Sequence, residues 1–502
     1  MARDFQSGNV MVGVIGAGAM GRGIAQVTIT GGMTALLYDS ANGAAEAARA
    51  FIFGMLDRGV DKNRMSAEDA AAAKDRLQVV DGLDAMADAD VVIEAIVENL
   101  DVKRAVFADL ERAVDDDAIL ASNTSSLRIA SIAAGCARKH RVAGLHFFNP
   151  VPLMKLVEVV RAPATDEDVV AALDVLGRRM GRVPVVVRDG PGFLVNLGGR
   201  AFTTEGLRLA HEGIATPAQV DAVMRDACGF RMGPFELMDL TGIDVNFPAS
   251  MAIYDGYFQD RRMATYPLHE SLLEAGRLGR KTGQGHYRYD DQGGKIADGA
   301  DADTSAEPAR RVALAEANAR LEERLRDAGA EVIEDDGDCP ILAAPIGEDA
   351  TAVAVRTGAD ARRLVAVDLT GDIGRRVTIM SAPGADPAPR DRVAALLAGT
   401  GAAVTAIHDS PGFIAQRMRA MVANLGCEIA QIGVAAPADI DTAMTLGLNY
   451  PLGPLALADE MGAGTVLTIL THLQRITGEE RYRPSQWLRR RALLGLPATT
   501  PD

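Results

Sequence analysis

The chain is 502 residues long, 48% hydrophobic and only 4% aromatic, with a formal net charge of −16; the length implies two to four domains, and the charge has the wrong sign for a general nucleic-acid or anionic-membrane binder. No uncharged apolar run approaches the ~20 residues that span a bilayer, and residues 1–12 lack the basic start and apolar segment of a signal peptide, so the expectation is a soluble, cytoplasmic protein. Cys136, Cys228, Cys339 and Cys427 lie far apart without a CxxC or Cys/His cluster, which argues against a zinc site, a disulfide scaffold or a redox motif, so no metal is expected.

Residues 10–15 are a short apolar run that meets glycines at once, after which Ile24, Ala25, Val27 and Ile29 recur at helical spacing. That reads as strand, tight turn, helix. Further strand-like runs at 35–38, 91–95, 118–121 and 142–145 are separated by helical patterns, which predicts a Rossmann-type, mostly parallel sheet over 1–188. From Asp189 the character changes to long amphipathic helical stretches punctuated by Gly213 with Pro217 and Gly233 with Pro234. An all-helical domain is predicted over 189–289. Residues 290–310 are acidic, Gly-rich and nearly free of large apolar side chains, a linker composition.

The remainder partly copies what precedes it. A constant offset of 220 aligns Asp189, Pro191, Gly192 and Phe193 with Asp409, Pro411, Gly412 and Phe413 without a gap. The match continues from Gly213, Pro217, Gly233, Pro234 and Asp239 to Gly433, Pro437, Gly453, Pro454 and Asp459. A strand-helix segment without a glycine fingerprint is therefore expected over 311–408, followed by a second helical domain over 409–502.

Gly16, Gly18 and Gly21 form GAGAMG between the first strand and the first helix. In a dinucleotide-binding unit the first glycine allows the tight turn, the second lets the pyrophosphate approach the backbone, and the third lets helix and strand pack closely. Asp39 ends the next strand, where a carboxylate can hold the ribose hydroxyls and repel a 2′-phosphate, favouring NAD over NADP. Taken alone Asp39 also reads as a strand-end cap.

Three more segments are richer in polar residues than a packed sheet edge should be: ASNTSSL at 121–127, LHFFNPVPLMKLVEV at 145–159 and PGFLVN at 191–196. With the fingerprint they resemble the L-3-hydroxyacyl-CoA dehydrogenase family over roughly residues 10–289. The resemblance implies a catalytic histidine at His146 with its partner glutamate at Glu158, a substrate-binding serine at Ser125 and an asparagine at Asn196. It also implies cofactor-side roles for Glu98, Lys103 and Asn149. Removing a hydroxyl proton as hydride leaves a secondary alcohol is work a neutral imidazole suits, and a carboxylate behind it would fix its tautomer.

Each residue has a plainer reading as well. His146 between Leu145 and Phe147 reads as a core histidine, Ser125 as a helix cap, Asn196 as packing, Glu98 with Lys103 as a solvated pair, and Asn149 as a turn before Pro150. In the second copy Glu158 becomes Thr378, Asn196 becomes Gln416, and the position nearest His146, allowing a two-residue shift, is Asp368, so no second active site is expected.

The duplicated layout resembles bacterial members of the family that act on 3-hydroxyadipyl-CoA in phenylacetate breakdown. It implies an acyl-CoA partner and a homodimer. Three alternatives stay open: a 3-hydroxybutyryl-CoA dehydrogenase, a dehydrogenase of free β-hydroxy acids, and a non-catalytic NAD-binding protein.

Overall fold

The apolar runs of the first half pair into one sheet. In the computed structural model, which describes residues 5–6, 8–296 and 299–502, its strands are β1 (Met11–Ile15), β2 (Thr34–Tyr38), β3 (Leu77–Val79), β4 (Val91–Glu94), β5 (Ile119–Ser122), β6 (Val142–Phe147), β7 (Leu156–Arg161) and β8 (Val183–Arg188). Their order is β3-β2-β1-β4-β5-β6-β7-β8, parallel except where β7 runs against β6. The first six strands have the doubly wound order whose switch point, between β1 and β4, opens a crevice at the strands' carboxyl ends. Helices such as Ala19–Thr30 and Glu167–Arg179 cover the faces, and Val12, Val14, Ile24, Ile93, Leu145 and Leu173 are buried together.

β7 and β8 are an antiparallel-entering extension that the sequence reading did not separate from the helical patterns around them. Their outer edge is closed by residues far along the chain. The segment Gly433–Leu448 groups with Met1–Leu197 in one compact unit, while Gly198–Ile432 and Asn449–Asp502 form the other. Arg188 N donates to Val434 O at 2.7 Å. A spare donor of the edge strand is thereby satisfied.

The second unit holds a second sheet, β9 (Arg311–Leu314), β10 (Glu331–Ile333), β11 (Ile341–Ala343), β12 (Leu364–Asp368), β13 (Arg376–Met380) and β14 (Ala403–Ile407), ordered β10-β9-β11-β12-β13-β14. It repeats the first sheet in abbreviated form, including the one antiparallel pair, β12 with β13. Part of the segment read as a linker lies along this sheet: Ala302 N donates to Val404 O, and Asp301 pairs with Arg376 at 2.7 Å. The helices Arg200–His211 and Ala415–Gln431, one from each helical copy, pack against each other in this unit. No helix among the described residues is long and apolar enough to cross a membrane.

Candidate active site

The glycine turn explains its own composition. Gly16 has φ +100°, and a Cβ there would lie 2.5 Å from Ala95 O; at Gly21 a Cβ would lie 1.7 Å from Gly16 O. Neither position accepts a side chain. At Gly18 an added Cβ would meet nothing within 4 Å, so the absence of a side chain there leaves open space over the start of the helix. A dinucleotide pyrophosphate needs that space, and the residues present fit it. Asp39 stands one strand away, accepting from Ala17 N at 2.7 Å and Ala41 N at 2.8 Å. Its carboxylate holds the glycine turn and remains partly exposed.

The loops after β4 and β5 are joined by carboxylates. Glu94 ends β4 fully buried and meets Lys103 Nζ at 2.5 Å, Ser122 Oγ at 2.7 Å and Ile96 N at 2.7 Å. Lys103 is 1% exposed and also reaches Glu98 at 3.2 Å, which removes the reading of a solvated pair. Glu98 in turn accepts from the Thr124 hydroxyl, the Ser126 hydroxyl and the amides of Ser125 and Ser126. Burial alone would raise the Glu98 carboxyl, but these donors and the Lys103 ammonium outweigh it and hold it below the usual range. Glu98 and Lys103 are thus brought onto the loop that presents Ser125, itself exposed.

Antiparallel pairing of β6 with β7 places His146 directly opposite Glu158. His146 Nδ1 lies 2.6 Å from Glu158 Oε2, and both residues are buried. The other oxygen, Oε1, accepts from Leu194 N at 3.0 Å and Val195 N at 2.8 Å. Those amides are aimed by the Pro-Gly-Phe turn, in which Gly192 has φ +75° and Phe193 φ +47°, a conformation a phenylalanine rarely adopts. The rings of Phe148 and Phe193 flank the imidazole at centroid distances of 4.5 and 5.9 Å. Asn196, just beyond the turn, lies 3.4 Å from Ser125 O through its Nδ2, so Ser125, His146, Glu158 and Asn196 converge at one end of the sheet. Asn149 is exposed beyond β6, and its bond to Pro150 is cis.

Two residues of this site escaped the sequence reading. Asn123 Oδ1 accepts from Phe147 N at 2.8 Å and ties β5's end to the histidine strand. Glu94 was read only as part of an apolar strand. A carboxylate closing such a run demands a buried partner, and Lys103, nine residues on, is the available cation.

The profile of the 3-hydroxyacyl-CoA dehydrogenase NAD-binding domain matches residues 11–190. That of the 3-hydroxyacyl-CoA dehydrogenase C-terminal domain matches twice, at 192–289 and 412–500. Over 483 residues the chain is 39% identical to the 3-hydroxyadipyl-CoA dehydrogenase of Escherichia coli (strain K12), covering 96% of this chain and 97% of that one. A solved 3-hydroxybutyryl-CoA dehydrogenase from Escherichia coli K12 superposes with a TM-score of 0.86 at 37% identity, covering 97% of this chain and 99% of the other. The 3-hydroxybutyryl-CoA dehydrogenase of Bradyrhizobium diazoefficiens, 38% identical over 278 residues, covers 55% of this chain and 94% of its own length. With nearly its whole length aligned to such dehydrogenases, the chain belongs to the 3-hydroxyacyl-CoA dehydrogenase family and is an NAD-dependent oxidoreductase.

Proposed function

We propose that the chain oxidises the 3-hydroxyl of an (S)-3-hydroxyacyl-CoA, with His146 as base. The observation that carries this is the buried His146–Glu158 contact at 2.6 Å. An ionised carboxylate can only accept, so Nδ1 carries the ring proton and Nε2 is left with a lone pair. Nε2 takes the hydroxyl proton, and Glu158 stabilises the imidazolium that results. Two backbone amides on Glu158 Oε1 keep that carboxylate in place. Ser125 and Asn196 supply neutral donors for the substrate oxygen and stabilise its negative character. Bound NAD supplies the hydride acceptor. Gly16, Gly18, Gly21 and Asp39 would hold its pyrophosphate and ribose, and Glu98, Lys103 and Asn149 would border its nicotinamide end.

For the acyl chain we favour 3-hydroxyadipyl-CoA, as in phenylacetate catabolism, supported by the full-length likeness to an enzyme named for that substrate. The second reading is 3-hydroxybutyryl-CoA, favoured by a full-length structural relative of that name. One panel separates the possibilities: NADH formation from 3-hydroxyadipyl-CoA, 3-hydroxybutyryl-CoA and the free acids. The thioesters are expected to far outperform the free acids, because binding energy from the remote CoA orients the reacting carbon, and the adipyl thioester is expected to give the highest kcat/KM; free acids turned over as well as thioesters would overturn the proposal. In the same assay NADP should be used poorly, and Asp39→Arg should abolish or reverse that preference. Equal use of both cofactors by the unaltered chain would refute the ribose role of Asp39.

We further infer a cytoplasmic homodimer, supported by the prevalence of two-fold assemblies among soluble enzymes. Its contact would lie outside the helix pair of the two copies, which is satisfied within one chain. Light scattering on the eluting protein should give twice the chain mass, and a monomer across the working concentration range would end that reading.

A further inference from the structure

The second sheet keeps the frame of a catalytic site without its chemistry. Asp368 faces Thr378 across β12 and β13, as His146 faces Glu158 across β6 and β7. Gln416, at the repeat position of Asn196, donates to Pro345 O at 3.1 Å and Asp368 Oδ1 at 3.1 Å and accepts from Gly347 N at 2.8 Å. Its hydrogen bonds are consumed inside the protein, and the histidine–glutamate pair of the first sheet is not repeated.

The cleft outside this spot has nevertheless stayed open. A cavity of about 630 Å³ lies against the segments that follow β11 and β12, lined there by Ile346 and Thr370. That volume is in the range of small-molecule sites, and the carboxyl ends of strands are where doubly wound sheets take ligands. A cleft released from catalysis had no need to stay open or to gather charge.

What lines it is new chemistry. Arg320, Arg375 and Arg419 border the cavity in a chain whose overall charge is −16. Arg419 is 6% exposed and is held by Thr370 O at 2.8 Å and by Glu460. Arg320 and Arg375 are exposed, and neither forms an ion pair among the described residues. Of the cavity's acids, Asp226 is paired with Arg376 and Glu460 with Arg419, which leaves Asp372 against two uncommitted arginines. Leu452, Leu457 and Met461 supply an apolar flank. Guanidinium groups recognise phosphate through paired donors, and an apolar flank beside them suits a phosphorylated anion with an apolar segment.

We propose that this cleft is a second, non-catalytic acyl-CoA site, with Arg320 and Arg375 on the phosphates and Leu457 and Met461 against the acyl or pantetheine portion. The test uses the full-length chain and acetyl-CoA, which has no 3-hydroxyl to oxidise, and counts bound ligand by equilibrium dialysis. Two molecules per chain are expected in the unaltered protein and one in Arg320→Glu/Arg375→Glu, with kcat/KM on 3-hydroxyacyl-CoA unchanged within twofold. Both arginines are exposed and unpaired, so the double variant should fold, which an unchanged Tm verifies. One molecule per chain in the unaltered protein, or two in the double variant, overturns the second site without touching the catalytic reading, whereas none would count against both. Full displacement of the second molecule by inorganic phosphate would overturn its assignment to acyl-CoA.

Discussion

His146→Ala should lower kcat by about 100-fold or more, the usual worth of a general base, while NAD affinity stays within a few-fold. The separation of the two effects follows from geometry. The glycine turn after β1 and Asp39 after β2 would bind NAD through backbone and carboxylate groups, whereas His146 sits on β6 and, among the described residues, hydrogen-bonds no carboxylate but Glu158. Removing the imidazole leaves the cradle intact. Glu158→Gln should fall nearly as far, because an amide offers the imidazolium no counter-charge. It would also leave the Leu194 and Val195 amides a weaker acceptor. Stopped-flow turnover and fluorescence titration of NADH check both parts. Turnover near that of the unaltered protein in His146→Ala would remove the proposed base.

The residues of the candidate site were more legible in the sequence than the architecture that brings them together. The glycine turn, Asp39, Ser125, His146 and Asn196 lie at strand ends and turns, where residue type is dictated locally and stands out against an apolar background. Lys103 entered only through the family resemblance and its pairing with Glu94 did not stand out, because a buried ion pair is made by tertiary placement: Lys103 looks like any lysine in the first turns of an exposed helix until β4 and β5 close over it. β7 and β8 were missed for a related reason. Runs such as LVEVVR at 156–161 and VPVVVR at 183–188 read equally as strand or buried helix, and only the His146–Glu158 register tells them apart. The offset of 220 exposed the duplication, since turns need particular residues: Phe413 repeats the positive φ of Phe193, at +48° against +47°. It could not show that Gly433–Leu448 groups with the first sheet, because the hydrogen bonds concerned use backbone groups, which any residue supplies.

Cutting the chain after Tyr289 is expected to leave a fragment that aggregates or is inactive, and adding back residues 311–502 should restore it. Within the second unit, the helix Arg200–His211 is buried at every position from Arg200 to Leu209, so no face of it is designed for water. At its centre Glu205 is fully buried, 2.5 Å from Arg417 Nε, 2.9 Å from Arg481 Nη2 and 2.7 Å from the Tyr482 hydroxyl. Burial alone would raise its carboxyl, but Arg481 and Arg417 outweigh that and lower it to about 2. A depressed carboxyl stabilises the folded state above its unfolded value, so this contribution is present at neutral pH and lost as pH falls from about 4.5 toward about 2. All three partners lie in the removed portion. The first unit loses as well, since Val434 O no longer closes β8. Because a truncated chain can fail for trivial reasons, Gly447→Leu tests the same dependence in the full chain. A Cβ there already comes within 3.0 Å of Leu156 and 3.1 Å of Val195, and the Val195 amide holds Glu158. Overpacking of this kind costs ~1–3 kcal/mol; if a good part of it falls on the Glu158 contact, kcat drops about tenfold, ~1.4 kcal/mol of barrier, with NAD binding retained. A soluble, monomeric and fully active 1–289 fragment would show that the second copy is dispensable to the first, and full kcat in Gly447→Leu would show that the Val195–Glu158 contact does not depend on packing at Gly447.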